Sequence, residues 1–137
     1  MMADKLKIQA VTENLQTVLD FVDGHLEKTG VSMKVQMQID VAVEEIFVNI
    51  AYYAYSPDIG TAVIQVEADN DKNQISITFV DTGKPYNPLE KPDPDVTLSA
   101  AERDIGGLGI YMVKKSMDDM NYEYKDRQNI LKITKRL

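Results

Sequence analysis

Glu45 and Asn49 stand four residues apart in the run Glu45-Ile46-Phe47-Val48-Asn49. On a helix that spacing places both side chains on one face, one turn apart. A carboxylate there can take a proton, and an amide oxygen can hold Mg²⁺, which prefers oxygen ligands. Asparagine is a poor residue for a helix interior because it competes for backbone hydrogen bonds, so its place beside an apolar stripe calls for a reason. A second pattern is Asp81-Thr82-Gly83-Lys84-Pro85 at the end of an apolar run. The carboxylate can accept from an exocyclic amine, and the glycine lets the backbone approach a flat ligand. The third is Gly106-Gly107-Leu108-Gly109, opening a helical pattern. Unpaired amides at a helix start, with the helix dipole behind them, attract phosphate. Each pattern also has a plain structural reading: a solvated helix edge, a strand-ending turn, and a flexible hinge entering a helix.

The elements that would position these residues can be read from periodicity. Leu15, Val18, Leu19, Val22 and Leu26 recur at helical spacing. With Thr12 able to cap the start and Gly30 the end, a first helix is expected over 12–29. Ser32 opens a second helical pattern through Val35, Ile39, Val43, Ile46 and Ile50, ending near Tyr55 before Ser56-Pro57. Strands are expected at 61–68 and 74–80, separated by the turn cluster Asn70-Asp71-Lys72-Asn73. Four of the five prolines fall between Pro85 and Pro94, so 82–104 reads as a long loop with a short helix near 98–102. A third helix follows the glycine run, and 121–126 with 130–136 reads as a closing hairpin. The order α-α-β-β-loop-α-β-β predicts an α+β two-layer sandwich, with helices on one face of a mixed, mostly antiparallel sheet.

Composition narrows the function. The 137 residues make one domain, 1–137, with 44% hydrophobic and 27% charged residues, inside the globular range. There is no cysteine and one histidine, His25, which removes thiol chemistry and disfavours zinc. The net charge of −7, with lysines and acids interspersed, argues against nucleic acid as a partner. No apolar run approaches the ~18 residues of a membrane span, and Met1 to Ala10 lacks an apolar signal core. A cytoplasmic protein with no membrane partner is expected.

Taken in order, the three patterns resemble the N, G1 and G2 boxes of the Bergerat-type (GHKL) ATPase fold. The match is Glu45-Ile46-Phe47-Val48-Asn49, then Asp81-Thr82-Gly83-Lys84-Pro85, then Gly106-Gly107-Leu108-Gly109-Ile110-Tyr111-Met112-Val113. Length and layout resemble its smallest branch, the bacterial anti-sigma factor serine/threonine kinases. The resemblance implies that Glu45 is the general base and that Asn49 coordinates the Mg²⁺ bridging the phosphates of ATP. It implies that Asp81 reads the adenine amino group, that Gly83 lets the base lie close, and that Gly106, Gly107, Leu108 and Gly109 cradle the phosphates. A mobile ATP lid would span about 86–105. The implied activity is phosphorylation of a STAS-domain anti-anti-sigma protein, alternating with sequestration of a sigma factor or similar target (partner switching), in a possible homodimer.

Two features depart from the branch's pattern. Its first helix carries an arginine toward the phosphates, whereas the first arginine here is Arg103, inside the lid segment. Arg103 either replaces that cation when the lid closes or is a solvated loop charge. Tyr52-Tyr53 stand where a histidine is common, and read otherwise as core or interface packing. Asn129 is the candidate for the polar residue of the last strand that helps hold adenine. The missing arginine leaves open a nucleotide-gated protein-binding module without useful catalysis. A detached histidine-kinase catalytic domain is the third reading, opposed by the absence of an acidic residue beside His25 on its helix.

Overall fold

In the computed structural model, which describes residues 3–90 and 107–137, five strands form one sheet with three helices packed on one face. The strands are β1 (Ala3–Gln9), β2 (Thr61–Asp69), β3 (Gln74–Asp81), β4 (Asp119–Lys125) and β5 (Gln128–Arg136). They lie in the order β1-β2-β3-β5-β4, and every neighbouring pair is antiparallel. The helices are α1 (Leu15–Thr29), α2 (Met33–Asn49) and α3 (Gly107–Ser116). The architecture is the expected α+β sandwich.

The chain opens on a strand that periodicity did not suggest. β1 carries only Leu6 and Ile8 as large apolar residues, alternating with Lys5, Lys7 and Gln9. It pairs Leu6 with Ile64 and Ile8 with Ala62. Two apolar positions are too few to stand out as an alternation, and the lysines suit an edge strand, where charge discourages pairing with other chains.

The α1 pattern starts as a single 3₁₀ turn, Thr12–Asn14, before becoming α-helical at Leu15. Thr12 does not cap it: no side-chain cap is made at either start, and the Thr12 hydroxyl lies 3.4 Å from Glu13 instead. Gly30 ends the helix in the left-handed region at φ 70°, where a β-carbon would be strained. Ser32 caps α2 by accepting from Val35 N–H at 3.2 Å, an arrangement that contributes about 1 kcal/mol. α2 stops being α-helical at Asn49 and widens into a π-helical turn over Ile50–Ala54, a form that recurs at functional sites. The short helix expected near 98–102 lies outside the described residues.

The core fills the space between the layers. Val18, Val22 and Leu26 of α1 and Ile39, Val43, Ile46 and Phe47 of α2 meet Ile64, Ile75, Ile77, Phe79 and Ile133 of the sheet. All are buried, so β3 presents its alternate residues 75, 77, 79 and 81 inward. The last of that row is Asp81, which is how an apolar strand delivers a carboxylate to the inner face. Asp23 on α1 and Asp40 on α2 meet across the helix pair, each with a buried Oδ1 lacking a hydrogen-bond partner among the described residues. Burial first, then the hydrogen bond and charge of Asp23, push the Asp40 carboxyl up to about 7.

Candidate functional site

The site lies where α2, β3, β5 and α3 converge. Asn49 closes α2, and its Nδ2 donates to Glu45 Oε1 one turn back at 3.5 Å. The amide oxygen is thereby turned away from the carboxylate. Gly109, in the first turn of α3, abuts the Glu45 carboxyl so closely that any β-carbon there would collide with it. The start of α3, where a helix leaves its first amides without partners of its own, is thus brought against the Glu45–Asn49 face.

At the other end, Asp81 is 6% exposed and pairs with Asn129 across the β3–β5 register. Its Oδ1 accepts from Gly83 N–H and from Asn129 Nδ2, each at 2.9 Å. Among the described residues no bond reaches Oδ2, which leaves that oxygen to take a donor from a ligand. Gly83 packs on the turn after α2, where a β-carbon would run into the backbone of Ala54, and Lys84 N–H donates to Ala54 O at 2.8 Å. Tyr55 completes the tie: its hydroxyl donates to Thr61 O at 2.6 Å and accepts from Thr82 N–H at 2.8 Å. The widened turn therefore anchors the loop that follows Asp81.

Between these ends is a cavity of about 230 Å³, walled by Ile46, Ile50, Phe79, Ile110 and Leu131, with Asn49, Asp81 and Asn129 as polar groups. This is smaller than the ~300–1,000 Å³ of a whole ligand pocket and suits a flat base, with further ligand groups lying beyond it. Tyr122 of β4 adds a wall and donates its hydroxyl to Asn129 Oδ1. Burial, partly offset by the Tyr86 backbone and reinforced by the charge of Asp81, pushes the Tyr122 phenol up, so it remains a donor near neutrality.

Among the described residues, those singled out from sequence for the site fall at one place, though not in one wall. Asn49, Asp81 and Asn129 line the cavity, whereas Glu45, Gly83 and Gly109 stand beside it. Gly107 and Leu108 belong to the opening turn of α3. Arg103 and Gly106 lie outside the described residues, as does the expected lid beyond Glu90. Tyr52 and Tyr53 are 60% and 65% exposed, so they are not core residues, and Tyr53 stands at the cavity mouth. His25 takes no part in the site: its Nε2 lies 3.3 Å from Asp4 Oδ2 of β1, and its ring makes an edge contact with Phe21. Tyr55, Ile110 and Tyr122 were not anticipated. Tyr122 sits opposite Leu131 in the β4–β5 register, an inward position that becomes visible only once that register is known.

The fold and site define a protein built around a small, apolar-walled cleft at the end of an antiparallel sheet, with a helix start facing a carboxylate–amide pair. The histidine kinase-like ATPase domain family matches residues 8–135, and the chain belongs to that family. It is 23% identical over 131 residues to the serine/threonine-protein kinase BtrW of Bordetella bronchiseptica, covering 96% of this chain and 92% of that protein. It is 24% identical over 129 residues to the serine-protein kinase RsbW of Bacillus cereus, covering 93% of this chain and 81% of that one. Its fold is similar to the crystal structure of the RsbU and RsbW domains of Rv1364c from Mycobacterium tuberculosis, with a TM-score of 0.71 at 15% identity. That match takes in 100% of this chain and 33% of the longer one. Among the described residues no helix is long and apolar enough to cross a membrane.

Proposed function

We propose that this protein binds ATP with Mg²⁺ and is a regulatory serine/threonine kinase of the anti-sigma type, acting on a STAS-domain antagonist and otherwise holding a sigma factor or similar target. The observation that carries this reading is the convergence of the Glu45–Asn49 pair with Gly109 at the start of α3, beside a cavity floored by Asp81. The residues present fit the nucleotide. The apolar walls suit a base, Asp81 Oδ2 suits an amine, and Gly83 keeps the loop low over the turn. The amides from Gly107 to Gly109, with Gly106 before them, suit phosphate, and the Asn49 amide oxygen suits the metal. ATP supplies the phosphoryl group and Mg²⁺ the charge neutralisation that phosphoryl transfer needs. Glu45 would take the proton of the partner's serine hydroxyl at its carboxylate, held in place by Asn49 and by the contact with Gly109.

A protein partner is supported by exposed apolar residues along the outer side of α2. Met37 and Val41 are 62% and 55% exposed at helical spacing, and Tyr52 follows beyond Asn49. Incubation with labelled ATP and a STAS-domain protein from the same organism tests the proposal. Phosphoserine formed by the wild type and not by Glu45→Ala is expected, and absence of phosphoserine would refute the kinase half.

A second reading is favoured by one feature: α1 carries no arginine. A cation at the transferring phosphoryl group accounts for orders of magnitude in rate in related chemistry. A nucleotide-gated binding module would bind ATP and ADP, change its affinity for its partner, and turn over negligibly. Equal partner affinity with and without nucleotide would exclude it, since a ligand shifts an equilibrium only through differential affinity.

A further inference from the structure

The Asn129 carboxamide has all of its hydrogen-bonding capacity engaged by the protein. Nδ2 donates to Asp81 Oδ1 and to Lys84 O, each at 2.9 Å, with Gly83 O at 3.4 Å. Oδ1 accepts from Tyr86 N–H at 3.1 Å and from the Tyr122 hydroxyl. An amide offers two donor hydrogens and two acceptor lone pairs, so little is left for a ligand. The network also permits one orientation. Turned over, Oδ1 would face a carboxylate oxygen and two carbonyls, and Nδ2 would face the Tyr86 N–H. The group is 6% exposed, so such mismatches would not be relieved by water.

The consequence reaches the ligand through Asp81. With Gly83 N–H and Asn129 Nδ2 both on Oδ1, Oδ2 is the acceptor left toward the cavity. An exocyclic amine donates to such an oxygen, whereas a 6-oxo group presents lone pairs to it. The same amide holds the loop from Gly83 to Tyr86 against β5, and that loop forms part of the cavity wall. We propose that Asn129, oriented by Tyr122, is a positioning residue that makes this site select a 6-aminopurine over a 6-oxopurine, acting through Asp81 and the following loop rather than by touching the base. This rests on reading the cavity as the adenine site.

The test is the affinity of the full chain for ADP and for inosine diphosphate, by calorimetry from about pH 5 to pH 8. Three proteins are compared: wild type, Asn129→Asp and Tyr122→Phe, with a thermal melt of each at each pH. Asn129→Asp sets a second carboxyl against Asp81. The titratable and charged groups around it are Asp81 on β3, Lys84 and Tyr86 on the loop with Glu90 beyond, Tyr53 on the turn after α2, and Tyr122 and Tyr124 on β4. Of these side chains only the carboxyls titrate at acid pH. With one proton shared by the two carboxyls the lost donor is replaced, and two charges so close resist ionising together.

The variant is therefore expected to bind ADP near the wild-type level at about pH 5. Its affinity should fall at least ~10-fold by about pH 8, while the wild type changes little. Tyr122→Phe keeps the ring and loses the hydroxyl, and should lower the ADP-to-inosine-diphosphate preference by ~3–10-fold at all pH values. A preference unchanged in both variants, with a flat pH profile for Asn129→Asp, would overturn the inference while leaving the nucleotide reading intact. A wild type that binds no ADP would overturn both.

Discussion

The two ends of the site are built to different standards. At the base end, Asp81 and Asn129 are buried, and their bonds to one another and to the loop after β3 measure 2.9–3.4 Å. At the phosphate end, Glu45 and Asn49 are half-buried and joined by one long contact of 3.5 Å. The first is a polar network inside a core, satisfied among the described residues but for Asp81 Oδ2, where an unmade bond is costly and geometry is fixed before any ligand arrives. The second leaves its groups available, as a metal ligand and a base must be. The difference teaches that recognition and transfer are separable here. On the proposed function, binding would rest on a preorganised strand end, and chemistry on two side chains of one helix with no arginine from α1 behind them.

That contrast can be broken by substitution. Glu45→Ala is expected to have the largest effect, lowering phosphotransfer to a STAS substrate by ~10²–10⁴-fold while ADP affinity stays within about twofold. A parallel loss of ADP binding would dissolve the division between the ends. Asp81→Asn comes next. Leaving a charged hydrogen bond unmade should cost about 1–3 kcal/mol of adenine-nucleotide affinity, read by calorimetry. Asn49→Ala should sharpen the comparison from the other side. Its ADP affinity without metal should match the wild type, and the additional gain from Mg²⁺ should disappear, seen in titrations with and without the ion.

The smallest expected effect lies outside both ends. The Asp40 carboxyl is raised from 3.8 to about 7 in the folded chain, so the native state holds a proton that the unfolded chain releases. Its stabilisation is complete below 3.8 and is lost as pH rises through about 7. Melting temperatures of Asp40→Asn should therefore lie a few degrees above wild type at pH values over about 7, with the gap closing as the pH is lowered toward 5. A constant gap across that range would mean the Asp23–Asp40 contact is not what titrates.

Much of this arrangement was legible in the residues. The helical stripes led to α1 and α2, the β-branched runs to β2 and β3, and the closing hairpin to β4 and β5. The order of Glu45-to-Asn49, Asp81-to-Gly83 and the glycine run carried the family, because each motif needs a specific element behind it and all three elements were predicted. What stayed hidden has identifiable physical reasons. β1 has two large apolar residues alternating with Lys5, Lys7 and Gln9, too weak an alternation to stand out. Thr12 has the chemistry of a cap, but the chain turns through a 3₁₀ segment there and the cap is not made. Asn129 was expected to hold the base, yet its partners are set by a strand register that a single sequence does not display. Tyr122 escaped for the same cause, and Tyr55 because its partners, Thr61 and Thr82, lie on other elements. Long-range hydrogen bonds are where the local pattern is silent, and the base end is made of them.

The most direct test of the central claim is ADP titration calorimetry on wild type, Asp81→Asn and Glu45→Ala side by side. The account predicts that the wild type binds, that Asp81→Asn weakens binding by roughly 5–150-fold, and that Glu45→Ala binds like the wild type. A wild type that fails to bind ADP, or two variants that lose it equally, would contradict the account.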